Sequence, residues 1–152
     1  MKPFLHRAGS LQHFQWNLSS SVGKGGQNNI GTDVSYIQWY YTLAAVHPLT
    51  PPDRKAVYAG VSVTGSCRGT ADDPLVKAIL AHQTALRHPY IDGRISVATD
   101  DGRVGDLAFF ILRLGARLSD MYPNVWPRLD LIPGCPVGVA EVVRSCIPRV
   151  SV

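Results

Sequence analysis

Several groups of residues in this chain have the types and spacing to do chemistry. Gly23-Lys24-Gly25-Gly26 is a glycine-rich loop with a lysine. A phosphate-binding loop needs G-x-x-x-x-G-K-[ST], with its lysine at a helix entrance. That spacing is missing, so the glycines predict a tight loop with left-handed backbone angles instead. Of the 11 acidic residues all but Glu141 are Asp. A glycosidase works with two carboxyl groups about 5–9 Å apart. Asp72-Asp73 reads as a helix cap and Asp100-Asp101 as a turn, so no catalytic residue is assigned. The histidines are His6, His13, His47, His82 and His88, with no H-E-x-x-H among them. Pro89 separates His88 from Asp92, and His82 reads as a core residue. No metal site and no cofactor are expected. Cys67, Cys135 and Cys146 form no C-x-x-C. Cys67 precedes a helix, where a thiolate is stabilised, but it reads as structural. Cys135 and Cys146 are close enough in sequence to close a short disulfide loop, or all three are thiols. The cluster Tyr36, Trp39, Tyr40 and Tyr41 offers large, rigid faces of the kind that stack on sugars or anchor interfaces. Asp92 and Arg94 supply polar groups to fix a ligand. Tyr36, Trp39, Tyr40, Asp92 and Arg94 are therefore the candidate ligand- or partner-binding residues.

The elements that must position these residues follow from periodicity and punctuation. Phe14, Trp16 and Leu18 alternate as a short strand. Ser19 to Thr32 is a loop by composition. A first helix starts at Thr32 or Asp33, with Thr32 as N-cap and Asp33 at the positive end of the dipole. It carries Val34, Ile37, Gln38, Tyr41, Ala44 and Ala45 on one face and Trp39, Leu43 and Val46 on nearly the opposite one, so either both faces are buried or one binds. Pro48, Pro51 and Pro52 end it and form a rigid connection. Residues 56–65 read as a short strand or hairpin. Asp73 caps a second helix with Pro74 at its first position, and the stripe is Leu75, Ile79, His82 and Leu86. Asp92-Gly93 and Asp101-Gly102 are turn signals that bracket a small hairpin at 95–99. A third helix runs from about Gly105 to Met121, with Leu107, Phe110, Ile111, Leu114 and Leu118 inward and Arg113, Arg117 and Asp120 on the other side. The tail, with Pro127, Pro133, Pro136 and Pro148, reads as irregular apart from a short strand or helix at Val137 to Ser145. No internal repeat is visible.

Composition bounds the function. A chain of 152 residues with 45% apolar and 17% charged content is one globular domain. Fifteen basic against 11 acidic side chains give +4, without the clustered positive surface of a nucleic-acid binder. A bundle laced with Glu–Lys pairs is excluded, as is chemistry needing two Glu. No apolar run reaches the roughly 18 residues of a membrane span. The N-terminus lacks the h-region of a Sec signal, which predicts a cytoplasmic protein or export to the periplasm by a non-Sec route. No nucleic acid and no membrane insertion are expected.

Three landmarks, in order, carry a family resemblance. The loop Ser21-Val22-Gly23-Lys24-Gly25-Gly26, with Asn28 or Asn29 as its asparagine, leads into Asp33-Val34-Ser35-Tyr36-Ile37-Gln38. Cys67 and Gly69 precede Leu75, Ala78, Ile79 and Gln83. Asp92-Gly93-Arg94-Ile95 follows. Together these resemble the bacterial peptidoglycan-binding-like domain family, and His82 stands where that family places an aromatic. The resemblance implies a mainly α, three-helix domain with short β-hairpins and an irregular C-terminal tail. It divides the single domain 1–152 into an N-terminal extension (1–20), a core (21–122) and a C-terminal extension (123–152). It further implies non-catalytic recognition of cell-wall peptidoglycan, in the company of a wall hydrolase or a type VI secretion effector. The alternatives are an adaptor, chaperone or immunity protein that binds a secretion or effector protein through the same fold, and a small peptidoglycan hydrolase.

Overall fold

The computed structural model describes residues 1–8, 10–99, 101–104 and 107–146. Its chain order is β1 (Lys2–Ala8), β2 (Leu11–Asn17), β3 (Val22–Gly23), α1 (Gly31–Val46), α2 (Pro52–Tyr58), α3 (Pro74–Ala85), β4 (Arg94–Ile95), β5 (Arg103–Val104), β6 (Leu107–Ala108), α4 (Phe110–Met121) and α5 (Val137–Cys146), with a 3-10 turn at Leu129–Leu131. The three-helix expectation is therefore incorrect: the described residues form five α-helices, with β1–β2 and β5–β6 as antiparallel hairpins and β3 paired to β4 across the chain. Gly105, Asp100 and Pro148, named in the sequence reading, lie outside the described residues.

Each correction has a local cause. Pro52 does not hold an extended connection. It opens α2, because proline's fixed φ and missing N–H cost nothing in a helix's first turn. Residues 56–58 are thus helical and the expected strand at 56–65 is absent. Ile95 pairs with Val22 rather than within a hairpin at 95–99. In the C-terminal tail the open choice of strand or helix at Val137 to Ser145 resolves to a helix, Val137–Cys146, whose Val139, Ala140 and Val143 are buried. At α1 the N-cap is Ile30, with no side-chain cap, and Thr32 is already helical. Asp33 turns inward, where its carboxylate accepts from the N–H groups of Ser19 (3.0 Å) and Ser20 (2.8 Å) and pairs with the Met1 ammonium. Asp73 caps α3 as expected, accepting from Leu75 N–H at 2.8 Å, with Pro74 at the first position.

One hydrophobic cluster holds these elements. It takes Met1, Trp16 and Leu18 from the N-terminal segment, Val34, Ile37 and Tyr41 from α1, Ile111, Leu114 and Leu118 from α4, and Leu129, Val139 and Val143 from the C-terminal segment. α1 is buried nearly all round, which decides between its two sequence readings.

Two glutamines repeat one device. Gln38 on α1 accepts from the N–H groups of Thr64 and Gly65, both at 2.9 Å, and donates to Thr64 Oγ1 and Ser66 O. Gln83 on α3 accepts from Asp92 and Gly93 at 3.1 and 2.9 Å, and donates to Asp92 Oδ1 and Arg94 O. In both loops the first residue's side chain also accepts from the N–H two positions on, Ser66 in one and Arg94 in the other. Both central glycines have φ of +74°. A helical glutamine thus clamps a left-handed turn twice, 26 residues away in one case and 9 in the other. The unequal spacing hides the repeat from the sequence. Gln38→Ala strips its partners of bonds in a loop that water reaches, so we expect a loss of about 2 kcal/mol in urea unfolding, with the same slope as the parent. No change would mean that the clamp is incidental.

Candidate ligand-binding site

The Ser21-to-Asn28 loop closes on itself. Asn28 has φ of +50°; it accepts from Gly23 N–H at 2.8 Å and donates to Gly23 O and Gly26 O. Asn28, not Asn29, is therefore the asparagine that shapes the loop. Lys24 N–H donates to Gly93 O at 2.9 Å and Gly25 N–H to Gly69 O at 3.2 Å. The loop's polar backbone is spent on its own closure and on the Asp92-Gly93 turn. It presents no cradle of amides to an anion.

The turn that this loop supports forms one wall of a cleft of about 240 Å³. Asp92 and Arg94 line it, with carboxylate and guanidinium 3.9 Å apart and both part-exposed. Gln83 holds the turn from behind. His88 and Tyr90, just beyond the end of α3, form the facing wall, and Phe109 and Phe110 at the start of α4 add an apolar side. Tyr90 is 57% exposed. His88 is buried; its Nδ1 meets the Tyr90 backbone at 3.0–3.2 Å, while its Nε2 has no hydrogen-bond partner. A buried imidazole nitrogen left unpaired is costly.

The structure brings together only part of the candidate set. Asp92 and Arg94 meet in the cleft. Tyr36, Trp39 and Tyr40 do not join them: they are 0%, 2% and 2% exposed and belong to the core cluster. The face of Trp39, read as lying off the core stripe, packs inside with its indole beside Gly134 of the C-terminal segment, and a ligand in solvent cannot stack on it. Burial carries the Tyr36 and Tyr40 hydroxyls well above the ordinary phenol range. His88, Tyr90, Ser96 and Phe109 escaped the sequence reading as site residues. The available signal was the exposed aromatic in His88-Pro89-Tyr90, directly before the Asp-Gly turn.

The other chemistries find no support in geometry. Burial raises the Cys67 thiol above its ordinary value and pushes Cys135 up to about 11, the opposite of nucleophile activation. All three cysteines are free thiols. Among the described residues no group of three His, Cys, Asp or Glu side chains is placed to hold a metal ion, and no helix is long and apolar enough to cross a membrane. Glu141 is exposed on α5. No family model, curated protein or solved structure matches this chain.

Proposed function

We propose that this chain is a non-catalytic recognition domain for bacterial peptidoglycan, with the cleft beside Asp92-Gly93-Arg94 as its ligand site. The observation that carries the reading is the meeting, in one cleft, of an exposed Tyr90, the Asp92–Arg94 pair and a buried His88 with a free Nε2. The chemistry suits a wall fragment. An aromatic face packs on the apolar side of a sugar ring, a carboxylate accepts from hydroxyl or amide groups, and a guanidinium fork takes a lactyl or peptide carboxylate. The volume of about 240 Å³ admits one sugar or one stem-peptide group rather than a chain of them. The Gln83 clamp and the β3–β4 pairing hold the polar groups rigidly, which lowers the ordering cost of binding. The resemblance of the loop, helix and turn motifs to those of the peptidoglycan-binding-like family supports the same reading.

The test is co-sedimentation of the intact, folded chain with purified sacculi. We expect retention of the parent and at least tenfold weaker retention of Tyr90→Ala and of Arg94→Ala, each with an unchanged circular dichroism spectrum. Failure of the folded parent to sediment with sacculi overturns the proposal. Retention that survives both substitutions moves the ligand away from this cleft.

A further inference from the structure

A second and larger cavity, of about 420 Å³, opens on another face of α3. It lies where the C-terminal end of α1, the Leu49–Pro51 connection, α2, α3 and α4 meet. His82 lines this cavity and its neighbour Gln83 lines the cleft described above, so adjacent positions on one helix serve different spaces. The Phe110 ring stands between them, 5.0 Å from His82 and 5.3 Å from His88.

Three guanidinium groups line it: Arg54 from α2, and Arg113 and Arg117, one turn apart on α4. All three are half-buried. The arginine ion pairs among the described residues engage Arg68, Arg94, Arg128 and Arg144, and none engages these three. Asp120 is the single carboxylate lining the cavity, and it lies beyond ion-pair distance of them. A solvated helix face would spread such charges apart, whereas two elements bring these three to the lining of one cavity, Arg113 also bordering a shallower pocket beside His6 and His13. Their field reaches the floor: burial first, then Arg54, Arg113 and Arg117, hold the buried His82 down to about 4. The floor and walls are otherwise apolar and aromatic, with Tyr40, Tyr58, Leu86 and Met121. The Tyr58 hydroxyl is buried, and the Arg54 guanidinium lies close by it.

We infer that this cavity is a binding site for a phosphate-bearing organic molecule, its phosphate held by Arg54, Arg113 and Arg117 and its apolar body laid against Tyr58 and Leu86. Guanidinium forks match phosphate oxygens in pairs, and convergent unpaired arginines favour a dianion over a single carboxylate. The aromatic lining gives an organic phosphate an advantage over the inorganic ion, because the body removes apolar surface from water. This site is independent of the peptidoglycan reading.

The experiment is isothermal titration of the intact chain, at constant ionic strength, with phenyl phosphate, inorganic phosphate and benzoate. Phenyl phosphate binds tightest, with the other two at least tenfold weaker. Arg113→Gln/Arg117→Gln loses at least tenfold in phenyl phosphate affinity, and so does Arg54→Gln, while Arg94→Gln in the other cleft leaves phenyl phosphate affinity as it is in the parent. In NMR spectra phenyl phosphate moves the His82 ring signals and leaves those of His88 in place. The double variant also raises the His82 pKa above about 4, yet leaves it below 6.5 because burial remains its largest cause. Absence of millimolar binding, equal affinity for all probes, or an equal loss in Arg94→Gln overturns the assignment.

Discussion

Gly23→Ala costs the domain more than about 4 kcal/mol, enough to leave a marginal protein largely unfolded. Gly23 has φ of +109°, a backbone conformation that an L side chain rarely adopts. Its added Cβ would lie 2.2 Å from Gly93 O, with Ile79 Cδ1 at 3.0 Å and Arg94 Cα at 3.1 Å. Gly93 O is fixed twice over. It accepts from Lys24 N–H, and its own residue is clamped by Gln83. Neither strand of the β3–β4 pair can give way without breaking the other's bonds. Gly25→Ala is the matched control, since φ there is +63° but nothing lies within 4 Å of the new Cβ. It is expected to cost only about 1–2 kcal/mol, the strain of a left-handed residue. Urea denaturation followed by circular dichroism separates the two. Equal losses would mean that close approach to Gly93 is not what requires glycine at position 23.

His82→Phe exchanges stability at neutral pH for stability in acid, so the two stability curves cross. His82 sits among Tyr40, Tyr41, Tyr58 and Phe110, with ring centroids 5.0–6.0 Å away, and Tyr41 Oη lies 3.2 Å from its Nδ1. In the unfolded chain its imidazole takes up a proton near 6.5; in the folded protein it does so only near 4. Between these values the unfolded state binds more protons, so stability rises with pH. The contribution is complete above about 6.5 and is lost as pH falls to about 4, by roughly 3 kcal/mol. Phenylalanine fills the same cage and cannot protonate, so most of that slope disappears. At pH 7 the variant is weaker by about 1 kcal/mol, because the Tyr41 hydroxyl loses its partner. Part of the slope stays, since burial and then the charge of His13 lower the His6 pKa as well. Parallel curves for parent and variant between pH 7 and pH 4.5 would sink the assignment of acid sensitivity to His82.

How much of this was legible beforehand depended on whether the controlling interaction is local. The Asp73-Pro74 start of α3 is encoded in adjacent residues and was readable. The inward stripe of α4 was readable for the same reason, since Phe110, Ile111, Leu114 and Leu118 need only the 3.6-residue period. α2 was lost because prolines both end and begin helices, and seven residues are too few to show a period. β1 was lost because its pairing with β2 is exposed along most of its length and leaves no apolar alternation. At the site, Asp92 and Arg94 were legible from their turn. Trp39 was misjudged because helical periodicity ranks the faces of α1 but cannot say that the C-terminal segment around Gly134 packs against its indole.

By itself the amino-acid sequence determined the left-handed turn at Asp92-Gly93, the Asp73 cap of α3, the amphipathic stripe of α4 and the shortage of glutamate. Each follows from a few neighbouring residues and the bond angles they permit. Only the tertiary structure decided which surfaces face solvent and which charges converge. Asp92 meets His88 and Tyr90 because Gln83 draws the turn back onto α3. Arg54 meets Arg113 and Arg117 because α2 packs beside α3 at the mouth of the same cavity. Burial and electrostatic fields depend on distance in space, and residues 54 and 117 become neighbours only when the core between them has formed.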